Sequence, residues 1–154
     1  MAKHEIETRW MGKMRFDANV NGHTIVMDAP ARVGGEDQGP IPKPFVLTAL
    51  SGCTGMDIVA LLRKSGHELS YFNLKITGEL TKYQPMQYVS IHLVYEFRGD
   101  SSVKEAALNA VADSQEKYCG VSNMLKKIMP VSWEVWFNEE QVFNNQHPET
   151  KIFA

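Results

Sequence analysis

The sequence predicts an α+β fold in which a long, buried central helix packs against antiparallel sheets. Three observations carry that expectation. Residues 45–64 are apolar almost all the way round for about five turns, which leaves no wet face for a surface helix. The segments on either side alternate polar and apolar residues with the period of strands. The order of patterns is strands, helix, strand pair, two helices and strand, which is not a parallel βαβ series.

Residues 3–28 read as a β-meander: Ile6, Thr8 and Trp10 alternate with Glu5, Glu7 and Arg9, and Met14, Phe16, Ala18 and Val20 alternate with charged or polar neighbours. Asn21-Gly22 then marks a hairpin, because both residues accept the positive φ of a type I′ turn. Residues 30–44 form a loop rich in Gly, Pro and charge, in which Gly34-Gly35 has no phosphate-binding context. Pro44 suits helix entry, so the central helix is placed at 43–65, closed by Ser65-Gly66 after Arg63 and Lys64. A β-hairpin occupies 69–98 and turns at Gln84-Pro85-Met86.

Ser102 and Glu105 form a capping box that opens a second helix, with Val103, Ala107, Ala110, Val111 and Ser114 on its apolar side. Ser122 is placed as the cap of a short helix over 123–127, so the two helices span 102–128. A last strand runs 131–137, and 138–154 reads as a polar, unpatterned tail.

A chain of 154 residues is long enough for one domain with a real core. Its net charge of -2, with basic residues scattered among acids, gives no electrostatic case for nucleic acid. No segment reads as a membrane span or signal peptide, so the expected location is cytoplasmic, with no membrane partner. The five histidines show no ligand spacing and the two cysteines no CxxC pairing, so no metal and no cofactor are expected.

The chemistry therefore rests on Cys53 and Cys119. Cys53 lies beyond the first helical turn, where the dipole helps a thiolate little; it needs a cation, and Arg9, Lys13, Arg15 and Arg32 are the supply. An inert buried thiol and a nucleophile both remain open for it. Cys119 sits at a helix entrance beside Gly120, Val121, Ser122 and Asn123, where free N–H groups favour a thiolate; a structural thiol at a turn is the alternative. Asp57, one turn after Cys53, would raise the thiol pKa if close and unpaired, although such a carboxylate is usually satisfied by a donor. Thr48, Ser51, Gly52 and Gly55 give the helix one smooth side along which another backbone can approach.

Two motifs bear a resemblance. Pro42-x-x-Phe-Val-Leu-Thr-Ala-Leu-Ser-Gly-Cys53-Thr-Gly-Met-Asp57 and Lys117-Tyr-Cys119-Gly-Val-Ser122-Asn123, in this order, resemble those of the OsmC/Ohr family, the osmotically induced protein C and organic hydroperoxide resistance proteins. The resemblance implies an intertwined homodimer in which two long helices pack together between sheets. It implies a peroxidatic Cys53 that passes through a sulfenic acid, a resolving Cys119, a peroxide substrate and a dithiol reductant. The thiolate-activating cation maps to Arg15, with Arg9 next. Two positions depart from the family pattern: Pro44 stands where a glutamate usually orients the arginine, and Cys119-Gly120 replaces Cys-Pro, as in an OsmC-like branch.

Two functions follow as expectations. One is a thiol-dependent peroxidase in oxidative-stress defence. The alternative is a non-catalytic dimer that binds a small apolar ligand or senses oxidants beside Cys53.

Overall fold

The computed structural model describes residues 1–146. The chain forms two compact units, Met1–Val46 and the residues from Leu47 onward.

In the first unit, β1 (Glu7–Gly12), β2 (Arg15–Val20) and β3 (His23–Met27) make an antiparallel sheet in sequence order. The Asn21-Gly22 turn has φ of 51° and 81°, as the hairpin signal requires. After β3 the loop is organised by Asp28. Its carboxylate, buried to 3 % exposure, accepts the N–H groups of Ala29, Glu36 and Gln38. The Ala29 bond is the foremost cause that holds its pKa below the ordinary carboxylate value. Gly35 is required there, since a Cβ would stand 1.8 Å from the Ala29 carbonyl oxygen. This sheet leaves large apolar side chains in the open, Trp10 at 65 %, with Met11, Met14 and Phe16 also exposed.

Helix α1 (Phe45–Lys64) begins in the last residues of the first unit and runs through the second. Only the stripe Leu50, Thr54, Ile58 and Leu62, spaced four apart, is buried in the single chain. The rest of the helix is open within the single chain: Met56 is 75 % exposed, and a Cβ at Gly52 or Gly55 would meet nothing within 4 Å. The expectation that no segment has the length of a span is revised. At 20 residues and mean hydropathy 1.8, α1 is long and apolar enough by length and composition, because its polar residues are mostly small. It is built as a core helix, with that stripe against the second sheet and Asp57 bonded to Ser114.

The second unit's sheet has the order β4 (Tyr71–Leu80), β5 (Tyr88–Arg98), β6 (Val131–Phe137) and β7 (Glu140–Asn144). All its pairings are antiparallel except β5 with β6, which run parallel from Ile91 opposite Val131 to Phe97 opposite Phe137. The crossover between these two carries α2 (Lys104–Asp113) and α3 (Gly120–Lys126). One face of the sheet, through Ile91, Leu93, Tyr95 and Phe97 and then Trp133, Val135 and Phe137, is buried with α1 and α2 in the core. Phe72 stacks on Phe97 with ring centroids 4.6 Å apart.

Three local expectations are corrected. The helical segment is capped by Asp100, whose carboxylate accepts the Ser102 N–H at 2.9 Å, and not by the Ser102 box: Ser101–Val103 forms a 3-10 turn first. Cys119, not Ser122, caps α3. Part of the expected tail is β7, because Val142 and Phe143 give just enough apolar content for pairing with β6. Residues 147–154 of that tail lie outside the described residues.

Candidate functional site: a thiol pair at a π-turn

Cys53 and Asp57 are four residues apart on α1, so they share one side of the helix, beside the buried Thr54. The opposing wall comes from the end of α2. There Ser114–Tyr118 adopt a π-turn, in which the Cys119 N–H donates to the Ser114 carbonyl five residues back at 2.8 Å. The chain then turns extended at Cys119 (φ −72°, ψ 99°) and enters α3. These elements bring Cys53 Sγ, Cys119 Sγ and an Asp57 carboxylate oxygen within 4.8 Å of one another. Both thiols are free. Cys53 is half-buried and Cys119 is 2 % exposed.

A chain of hydrogen bonds lies under this trio. The Ser114 hydroxyl donates to Asp57 Oδ2 at 3.0 Å. Since that proton is committed, Thr54 donates to Ser114 Oγ at 2.8 Å, and by the same count Tyr95 donates to Thr54 at 2.9 Å. The Tyr95 oxygen accepts from Gln115 Nε2 at 2.7 Å, and Gln115 Oε1 accepts from Ser122 Oγ at 2.6 Å. Every donor thus points toward the carboxylate. Among the described residues no buried side-chain nitrogen or oxygen lacks a partner. Burial pushes the Tyr95 hydroxyl up to about 12, so it remains a donor throughout the ordinary pH range.

Electrostatics hold Cys119 in its neutral form. Burial pushes Cys119 up to about 11; the Ser122 N–H, 3.4 Å from its sulfur, works the other way, and the contact with Cys53 and the charge of Asp57 push up again. Cys119 is accordingly a neutral thiol at rest. Lys126 interacts with it electrostatically, donates to the Gln115 carbonyl at 2.6 Å, and sits 4.8 Å from the Trp133 ring centroid. Its own pKa is lowered by burial.

Both cysteines singled out in the sequence are therefore brought together. Asp57 is both close to the thiols and satisfied by a donor. Arg15 and Arg9 belong to the first unit. Arg15 makes a two-pronged contact with Asp17, both bonds at 2.8 Å, and Arg9 bonds Glu7 on the surface. His92 bonds Ser132 at 2.8 Å and faces Glu134 at 3.5 Å on the other face of the second sheet. The Ser122 N–H stands at the Cys119 sulfur, as a free N–H at a helix entrance should, whereas Thr54, Tyr95 and Gln115 were not singled out for the site. The available signal was polar residues at core positions of otherwise regular apolar patterns, which demand partners. Among the described residues the trio is the one His, Cys, Asp or Glu group close enough to share an ion, and it is one ligand short of a closed zinc site.

Residues 35–134 match the family model described as OsmC-like protein. Protein YhfA of Escherichia coli (strain K12) is 31% identical over 134 residues, covering 85% of this chain and 97% of that protein. A crystal structure of a hypothetical protein from Aquifex aeolicus VF5 has a TM-score of 0.74 at 27% identity, covering 90% of this chain and 100% of that one. An organic hydroperoxide resistance protein from Legionella pneumophila, described as a predicted redox protein, shares the fold with a TM-score of 0.64 at 15% identity, covering 88% and 98%.

Proposed function

We propose that this chain, which belongs to the OsmC-like family, is a cysteine-based peroxidase that reduces organic hydroperoxides or hydrogen peroxide. The observation that carries the reading is the pair of free sulfurs within 4.8 Å of each other, one half-buried and one enclosed. The hydroperoxide resistance named for the Legionella neighbour agrees with it.

In this reading the Cys53 thiolate attacks the peroxide. The O–O bond breaks, an S–O bond forms, and an alcohol or water leaves once protonated, with Cys53 as sulfenic acid. The Cys119 thiol condenses with it to a disulfide and water, and a dithiol reductant restores both thiols by exchange. A disulfide of 2.03–2.05 Å requires the sulfurs to close by less than about 3 Å from their present limit. Arg15 supplies the activating charge, with Arg9 second. Asp17, gripping Arg15 through two bonds, takes the orienting part for which Pro44 has no carboxylate.

Two copies assemble, each covering the other's open helix side. The support is the empty space over Gly52 and Gly55, the exposed Met56, and the exposed apolar residues of the first sheet.

The test is consumption of cumene hydroperoxide with dithiothreitol as reductant. Wild-type protein turns over, Cys53→Ser does not, Cys119→Ser takes up about one equivalent and stalls, and Arg15→Ala slows the first oxidation alone. Undiminished turnover in Cys53→Ser sinks the proposal. So does a Cys53 that alkylates with iodoacetamide only at or above the ordinary thiol pKa of ~8.5.

A further inference from the structure

Resting on the peroxidase reading, we infer that Asp57 is a catalytic residue of the second step: its carboxylate carries the proton from the Cys119 thiol to the departing hydroxyl as the disulfide forms. The condensation has a proton problem that the geometry defines. Cys119 must lose its proton to become a nucleophile, and it lies at 2 % exposure with no bulk water to take it. The sulfenic oxygen on Cys53 must gain a proton to leave as water. Among the His, Cys, Asp and Glu side chains of the described residues, the one that joins the two sulfurs within 4.8 Å is the Asp57 carboxylate. That span is closed by one water molecule or by the same small approach that joins the sulfurs.

The balance is complete without a further reagent. The Cys119 sulfur attacks the Cys53 sulfur, the S–S bond forms and the S–O bond breaks. The Cys119 proton passes to Asp57, which gives a proton to the leaving oxygen, so one water is released and the carboxylate is regenerated. The buried hydrogen-bond chain suits this cycle. Oδ2 is held by Ser114, behind which Thr54, Tyr95, Gln115 and Ser122 all orient their donors toward it. The same chain ends at Ser122, whose N–H bonds the Cys119 sulfur, so carboxylate and thiol are held by one framework.

A merely electrostatic Asp57 has the opposite consequence. Its negative charge raises the Cys119 pKa, so neutralising it would increase the thiolate and speed condensation. The sign of the effect of Asp57→Asn therefore separates the two roles, and asparagine can still accept the Ser114 bond. The charged or titratable groups that bear on the result are Cys53, Cys119, Tyr95 and Lys126; Tyr95 stays protonated and Lys126 is unchanged by the substitution.

Reduced full-length protein is mixed with one equivalent of cumene hydroperoxide. Cys53 sulfenic acid is then trapped with dimedone, and disulfide is followed by mass spectrometry, from pH 6 to 9. With Asp57→Asn the sulfenic acid still forms but persists. Disulfide formation falls at least tenfold at pH 7 and recovers with rising pH, since the thiol must then ionise unaided; general acid–base assistance is typically worth about 10²–10⁴ in rate. Asp57→Glu, which keeps a carboxylate, retains part of the rate that Asp57→Asn loses. Condensation that is equal or faster in Asp57→Asn, with sulfenic acid forming normally, overturns the proton role alone. A wild-type Cys53 that takes up no oxygen overturns the peroxidase reading, and this role with it.

Discussion

Tyr95 shows what a single buried hydroxyl does in this molecule. It is fully enclosed, donates to Thr54 and accepts from Gln115, and so joins α1, β5 and the π-turn through one oxygen. Tyr95→Phe keeps the ring and strands the Gln115 amide N–H in the core. We expect a loss of about 1–3 kcal/mol of stability, read as a lower urea midpoint at unchanged slope. Sequence reasoning reached the two cysteines through their motifs and read Asp57 as a carboxylate bearing on the thiol. It did not reach Tyr95 or Gln115. A tyrosine in an alternating strand reads as one more apolar core residue, and the partners that reveal its hydroxyl's role lie 41 and 20 residues away.

At the scale of elements, the loop after β3 depends on one carboxylate. Asp28 binds the N–H groups of Ala29, Glu36 and Gln38, and its pKa is depressed relative to the unfolded chain. The stabilisation it gives is full above the unfolded carboxylate value of about 3.9 and is lost as pH falls through the lower folded value. Hydrogen exchange at the Glu36 and Gln38 amides, corrected for intrinsic rates, should therefore hold steady from pH 7 to about 5 and lose protection below about 4. In Asp28→Ala the protection is absent at every pH.

Regular elements were the legible part of the fold: β6 occupies 131–137 as its alternation demands, and the Asn21-Gly22 turn is where its residues put it. Boundaries set by side-chain caps were less so. Asp100 outcompetes Ser102 because a 3-10 turn precedes the helix, and β7 is too short and too polar to stand out before its pairing with β6 is known.

At the scale of the whole molecule, α1 is half of an argument. Its buried stripe belongs to one chain, while its glycine side and the apolar residues of the first sheet wait for something to cover them. Light scattering should return twice the 17.4 kDa of the chain, and Gly52→Leu, placed on the open side, should lower that mass or the melting temperature. A stable 17.4 kDa particle at micromolar concentration would refute the assembly. All-round apolarity already pointed to burial, but it cannot say how much of that burial is supplied from within the chain.

The π-turn carries a consequence of another kind, one of counting. In an α-helix each residue advances about 100° round the axis, so the wide turn at 114–118 adds an increment that regular winding would lack. Winding the same residues as a regular α-helix, with none removed, would carry the thiol about a quarter-turn further round the axis and away from Cys53. The wide turn, held by the bond from the Cys119 N–H to the Ser114 carbonyl, thus sets the bearing of Cys119 as much as the residues that compose it.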